Sequence, residues 1–173
     1  MPDRPADLVA ALEADLAALA AADADLVRDA EVAERTRIER GSVTLEDRLR
    51  AAGSVEVALL GGWRRAGRVV EVGDGWILLA GAPGEHLVAL GSVVTLLGLG
   101  RAVSTSGPLG ARSMTSVLRA WCRDRSSVTA CLGDGSSLTG LASAAYRDHL
   151  EIATDGPGGS VVVPFAALVA VTR

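Results

Sequence analysis

The chain has 173 residues, 49% of them hydrophobic and only 3% aromatic, so any core must be built from Val, Leu, Ile and Ala. That much apolar material, spread along the whole length, excludes a disordered tail. All 17 basic residues are arginine, and the net charge of −4 argues against a protein that coats nucleic acid by charge alone, although a local basic face stays open.

Residues 5–40 contain no glycine, and leucines at positions 8, 12, 16, 19 and 26 fall on one helical stripe. Residues 1–41 are therefore expected to form an acidic amphipathic helix, with ten acids and five arginines up to Arg40. Leu12, Leu19 and Leu26 hold one heptad seam, but Asp23 interrupts the other, so a coiled coil has weak support. Gly41-Ser42 is expected to break this helix. Thr44-Leu45-Glu46-Asp47 restarts it with a capping-box pattern, a hydroxyl at the cap and an acid three residues later.

Past Gly53 the texture turns to β. Val55, Val57 and Leu59 alternate, Gly61-Gly62 turns, and Trp63 to Val72 makes a long strand containing Gly67. Gly73-Asp74-Gly75 turns into Trp76–Leu79, Ala82-Pro83-Gly84 turns again into His86–Leu90, and Val93–Leu96 completes five strands. Five short strands with tight turns, one bent at a glycine, predict a small and strongly curved barrel over residues 42–100. Residues 101–113 read as a linker around Ser104-Thr105-Ser106-Gly107-Pro108.

The pattern then returns. At a shift of 73, Ser54, Val55, Leu59, Gly62 and Gly67 fall on Ser127, Val128, Leu132, Gly135 and Gly140. A helical segment near Thr115–Arg123 precedes this copy, as Thr44–Ala52 precedes the first. The last strands match at a shift of 75, which predicts a loop two residues longer near Asp155–Gly159. The expected architecture is thus mostly β with an N-terminal helix: two tandem five-stranded barrels, the second over residues 114–173, each behind a short helix.

A short helix followed by five strands, the second bent at a glycine, resembles the Sm/LSm fold and its bacterial form, Hfq. The resemblance rests on Gly62 and Gly67 with Val69, Val72 and Trp76–Leu79, and on Gly135 and Gly140 with Leu150 and Ile152. The whole layout is also similar to actinobacterial proteins that carry a generic Fis-family transcriptional regulator label, though no Fis-type helix-turn-helix is legible. The fold does not carry the function with it. The Tyr-Lys-His stretch with which Hfq-like proteins read uridine falls here on Ala89, Leu90 and Gly91, and on Pro164, Phe165 and Ala166. The aspartate of the Sm signature falls on Gly73 and Tyr146. The adenosine-site aromatic falls on Ala58 and Cys131, and its basic residue is matched by Arg64 but replaced by Ser137. The resemblance therefore implies the fold without the familiar base pockets.

The candidate nucleic-acid residues are Trp63, Arg64 and Arg68, within the basic cluster Arg64, Arg65, Arg68, and Tyr146 with Arg147 in the turn where Sm-type proteins present a stacking residue. Arginine beside an aromatic can hold phosphate and stack a base. The competing reading is a solvated strand face, with Trp63 filling a barrel end and an ordinary polar turn at Tyr146. Nothing in the sequence assembles a nucleophile, base and oxyanion donor, and neither His86 nor His149 has neighbours at metal-ligand spacing, so no enzyme, metal or cofactor is expected. Cys122 and Cys131 read as small apolar groups in a reducing cytosol. The chain begins without a charged-then-apolar leader and its apolar runs are too short to span a bilayer, so a cytoplasmic protein is expected.

Two functions remain at this point. One is a non-enzymatic nucleic-acid-binding protein, RNA first, in a regulatory role. The other is a scaffold whose N-terminal helix docks a protein partner. Assembly follows from strand edges: His86–Leu90, Val93–Leu96, Val161–Val163 and Leu168–Val171 are apolar and carry no protecting charge. A covalent tandem can satisfy one pair of these internally. The rest are expected to make a homo-oligomer, unless the N-terminal helix covers them.

Overall fold

The computed structural model describes residues 41–104, 112–156 and 159–173, together with Arg28, Glu31 and Glu34. The chain divides into two units, Met1–Val43 and Thr44–Arg173. In the first, the described Arg28, Glu31, Glu34, Gly41 and Ser42 are helical and exposed. The expected leucine stripe Leu8–Leu26 lies outside the described residues. Gly41-Ser42 does not break the helix; the break falls at Val43-Thr44. Glycine only weakens a helix, whereas the Thr44 cap stops one helix by starting the next.

The second unit is mostly β. It begins with α1 (Leu45–Arg50), whose capping box is complete: the Thr44 hydroxyl accepts from the Asp47 amide, and the Asp47 carboxylate accepts from the Thr44 amide at 3.1 Å. The five strands of the first half follow as β1 (Ser54–Leu59), β2 (Arg64–Gly73), β3 (Trp76–Gly81), β4 (Gly84–Ala89) and β5 (Val93–Leu97). Helix α2 (Met114–Arg123), capped by Ser113, leads into β6 (Ser127–Leu132), β7 (Ser137–Ala145), β8 (His149–Ala153), β9 (Ser160–Pro164) and β10 (Leu168–Thr172). The duplication is visible in the register. Val55 faces Gly67 across β1 and β2, and Val128 faces Gly140 across β6 and β7. A bulge follows in each half, between Val69 and Glu71 and between Ala142 and Ala144. At Gly67 and Gly140 the facing strand comes too close for a side chain. A β-carbon there would lie 2.5 Å from the Ala80 carbonyl oxygen, or 2.2 Å from that of Ala153.

The two halves do not close into separate barrels. All ten strands form one open antiparallel sheet in the order β5-β1-β2-β3-β4-β10-β6-β7-β8-β9. Closure of the first half would need β4 to pair with β5. Instead β4 pairs with β10, Ala170 opposite Val88 and Thr172 opposite His86. Strands of the two halves do not interleave; they meet at this single seam. The tandem has thus satisfied one pair of edges internally, and β5 and β9 are the outer strands of the sheet. The linker is less independent than its composition suggested: the Ser104 amide donates to the Asp47 carbonyl, and Arg48 donates to the Gly100 carbonyl. Residues 105–111 lie outside the described set.

The core follows the seam as well. Trp76, Leu78 and Leu87 of the first half pack with Val117, Leu118, Trp121, Leu150 and Ile152 of the second. Cys131, Val169 and Ala170 of the second half pack with Leu49, Val57, Ile77 and Leu79 of the first. Each half completes the other's core, as expected where five strands alone bury too little apolar surface. The seam turns also touch. A β-carbon on Gly61 (φ +72°) would lie 2.8 Å from the Gly135 nitrogen and the Leu132 oxygen, so backbone meets backbone there.

Candidate nucleic-acid face and the seam cleft

Strand alternation decides what the basic cluster can do. Arg64, Ala66, Arg68 and Val70 lie on the exposed face of β2, and Arg65, Gly67 and Val69 are half-buried on the other. Arg64 is 71% exposed and among the described residues pairs only with Glu56, at 3.2 Å. An ion pair so exposed contributes little and is easily exchanged for another anion. Arg68 has no hydrogen bond or ion pair among the described residues and points to solvent.

Trp63 does not join this face. Its indole nitrogen donates to the Leu132 carbonyl at 2.9 Å, across the seam, and the residue packs against the core that holds Leu49, Val57, Ile77 and Leu79. Arg65 lies over that ring, 5.6 Å from the centroid. Trp63 is therefore a joint between the halves rather than an exposed stacking platform. Trp63 fills the seam between the halves and not the end of a closed barrel.

Tyr146 and Arg147 sit at the β7–β8 turn, both exposed. The sequence reading missed the partner of Tyr146: its ring stacks on His149, centroids 4.6 Å apart at 18°. His149 in turn lies 2.7 Å from the Asp148 carboxylate through Nδ1. Tyr146 stays 47% exposed. The two candidate clusters are not brought together, because β3, β4, β10 and β6 separate β2 from β7 in the sheet.

What the structure does assemble is a cleft of about 410 Å³ at the seam, lined by Arg64, Arg65, Ala66, Ala82, Pro83, His86, Thr129 and Thr172. The β2 start and the β3–β4 turn come from the first half, and the threonines from the second. Arg65 donates to the Thr172 hydroxyl through Nε (3.3 Å), to the Arg64 carbonyl (2.7 Å) and to the Cys131 sulfur (2.8 Å). Burial pushes the Cys131 thiol up, with the Arg65 charge acting against it. His86, 1% exposed, shares a 3.0 Å hydrogen bond between Nδ1 and the Thr172 hydroxyl. Burial holds this imidazole below its usual value and the Arg65 charge adds to that. The Ala82 carbonyl acts the other way, without reaching hydrogen-bond geometry on Nε2, which is buried and unpartnered. His86 is thus a neutral ring at neutral pH. The signal for it was present: one histidine in the apolar strand Leu87-Val88 continues. Its burial partner Thr172 is 86 residues away and could not be read locally.

Among the described residues no group of three or more His, Cys, Asp or Glu side chains is placed to share a metal ion, and no helix is long and apolar enough to cross a membrane. Both cysteines are free thiols. Comparison with protein-family models, curated proteins and solved structures finds no match.

Proposed function

We propose that the chain is a non-enzymatic, cytoplasmic Sm-like protein that binds nucleic acid, RNA first, in a regulatory role. The observation that carries this reading is the placement of Arg64 and Arg68 on one exposed face of β2, one weakly paired and the other free to meet a phosphate. Tyr146 and Arg147 offer a second point of contact, with an aromatic ring already oriented by His149. The Sm-like part of the reading is supported by the strand order 5-1-2-3-4 in each half. It is also supported by a fourth strand paired to a fifth, β4 to β10, the pairing that ring-forming Sm relatives make between subunits. By the same logic β9, the fourth strand of the second half, pairs with β5 of another copy, giving a head-to-tail homo-oligomer.

The test is binding of single-stranded RNA and DNA across a salt series. Wild type should bind at low salt with a log–log slope that falls by about 1.4 in Arg64→Ala/Arg68→Ala, since each lost phosphate contact on a single strand removes roughly 0.7. Absence of low-salt binding to either polymer, or a slope the double variant leaves unchanged, overturns the proposal.

A second reading, a protein-interaction scaffold, is favoured by one observation: the outer strands expose Val94 (59%) and Val162 (56%), apolar edges that a protein partner can cover. Crosslinking in cells separates the readings. Recovery of protein partners and no RNA would support the scaffold.

A further inference from the structure

The polar lining of the seam cleft consists of donors and hydroxyls. Arg64 and Arg65 bring two guanidinium groups, Thr129 and Thr172 bring hydroxyls, and no aspartate or glutamate lines it. Two permanent positive charges at a concave surface, with no carboxylate among the lining residues and only an exposed pair from Arg64 out to Glu56, suit an anion. Arg65 makes the sharper case. Its three hydrogen bonds all go to neutral acceptors, so among the described residues its charge has no counter-ion, and two of its five N–H groups are unused. Half-buried guanidinium groups are ordinarily paired, because an uncompensated charge away from water is costly.

Beneath it the hydrogen bonds run in one direction. Arg65 Nε–H can only donate, so the Thr172 oxygen accepts from it. The single Thr172 hydroxyl proton is then available for His86 Nδ1. In this arrangement the buried ring fixes the Thr172 hydroxyl, and that hydroxyl fixes the guanidinium plane. Such a plane, held edge-on, matches the oxygens of a phosphate. The cleft exists once per chain: at the repeat shifts, Ser137, Leu138 and Val161 stand where Arg64, Arg65 and His86 stand in the first half.

We propose that the seam cleft is an anion site that takes a phosphate group, with Arg65 as its fixed ligand, Arg64 as its mobile one, and His86 as a positioning residue acting through Thr172. The cleft shares Arg64 with the nucleic-acid face, but Arg65, His86 and Thr172 belong to the cleft alone and carry the proposal without that reading. The phosphate can come from a small phosphomonoester or from a polynucleotide backbone.

The full chain is titrated by calorimetry with inorganic phosphate, a nucleoside 5′-monophosphate and a dinucleoside monophosphate, whose only phosphate is an internal diester. Ring signals of His86 are followed by NMR. Expected are one site per chain and a weakening of about tenfold in Arg64→Ala, in line with loss of a charge-assisted contact. Arg101→Ala, which removes an exposed arginine outside the cleft, should bind as wild type does. An upward move of the His86 titration is also expected, because the anion offsets the Arg65 charge. Arg65→Lys keeps the charge but loses the fork, and should weaken binding while staying folded. Binding of the monoesters alone identifies a small-molecule source, and binding of the diester identifies a backbone source. The proposal is overturned if none of the three probes binds at millimolar concentration. It is equally overturned if Arg101→Ala weakens binding as much as Arg64→Ala, or if the His86 titration stays put. Phosphate binding in a chain that ignores polynucleotides would leave the cleft standing and remove the nucleic-acid reading.

Discussion

Replacing Gly67 with alanine places a β-carbon 2.5 Å from the Ala80 carbonyl oxygen and 2.8 Å from its carbon. Both neighbours are backbone atoms of β3, so no side chain can turn aside to make room. The strand itself must move, against the pairing of Arg68 with Ala80 in the next register position. Overpacking of this kind costs roughly 1–3 kcal/mol, and alanine returns about 0.5 kcal/mol by restricting the unfolded chain. The expected net loss is about 1.5 kcal/mol, or a fall in Tm on the order of 6 °C for a folded unit of this size. Gly140→Ala should cost as much or more, with its β-carbon 2.2 Å from the Ala153 oxygen and 2.7 Å from Ile152 Cγ2. Gly53→Ala is the control, since nothing lies within 4 Å of its β-carbon and its φ is not left-handed. Urea unfolding followed by tryptophan fluorescence, with m-values compared, measures all three. A Gly67→Ala midpoint indistinguishable from that of Gly53→Ala would refute the close-approach argument.

Three further outcomes are expected. Trp63→Phe removes the indole donor to Leu132, whose carbonyl keeps the Gly135 amide, and should cost about 1 kcal/mol in urea unfolding without loss of the fold; a neutral substitution would show that the seam does not depend on this bond. His86 has a folded pKa depressed by burial and then by Arg65, so its contribution is fully present above the unfolded value near 6.5 and is lost as pH falls through 6.5 toward the folded value. Stability measured between about pH 7.5 and pH 5 should therefore drop more steeply in wild type than in His86→Gln, and parallel slopes would count against a buried neutral imidazole. Light scattering should give wild type a multiple of the chain mass and reduce Val94→Lys/Val162→Lys to a single chain; a monomeric wild type would end the assembly proposal.

The local features of this protein were legible in the sequence because each depends on a few adjacent residues. Thr44 and Asp47 form their capping box within one turn of helix. The glycine turns and the period-two runs place every strand to within a few residues. The shift of 73 between Gly67 and Gly140 carries the same close approach into both halves. The face shared by Arg64 and Arg68 also follows from alternation alone. What the sequence left open are the contacts between residues far apart in it. Two closed barrels and one open sheet place the same apolar residues on the same strands, and the choice between them is made by which strand satisfies the edge of β4. That partner is β10, about eighty residues away, and its arrival redistributes both cores, turns Trp63 into a joint and buries His86 against Thr172. It also brings Arg65 beside Cys131 and Thr172, with no counter-ion among the described residues. Pairing preferences between apolar strand edges are nearly degenerate in sequence, since backbone amides make the bonds whatever the side chains. Only the assembled tertiary structure, where one pairing completes two cores at once, decides among them.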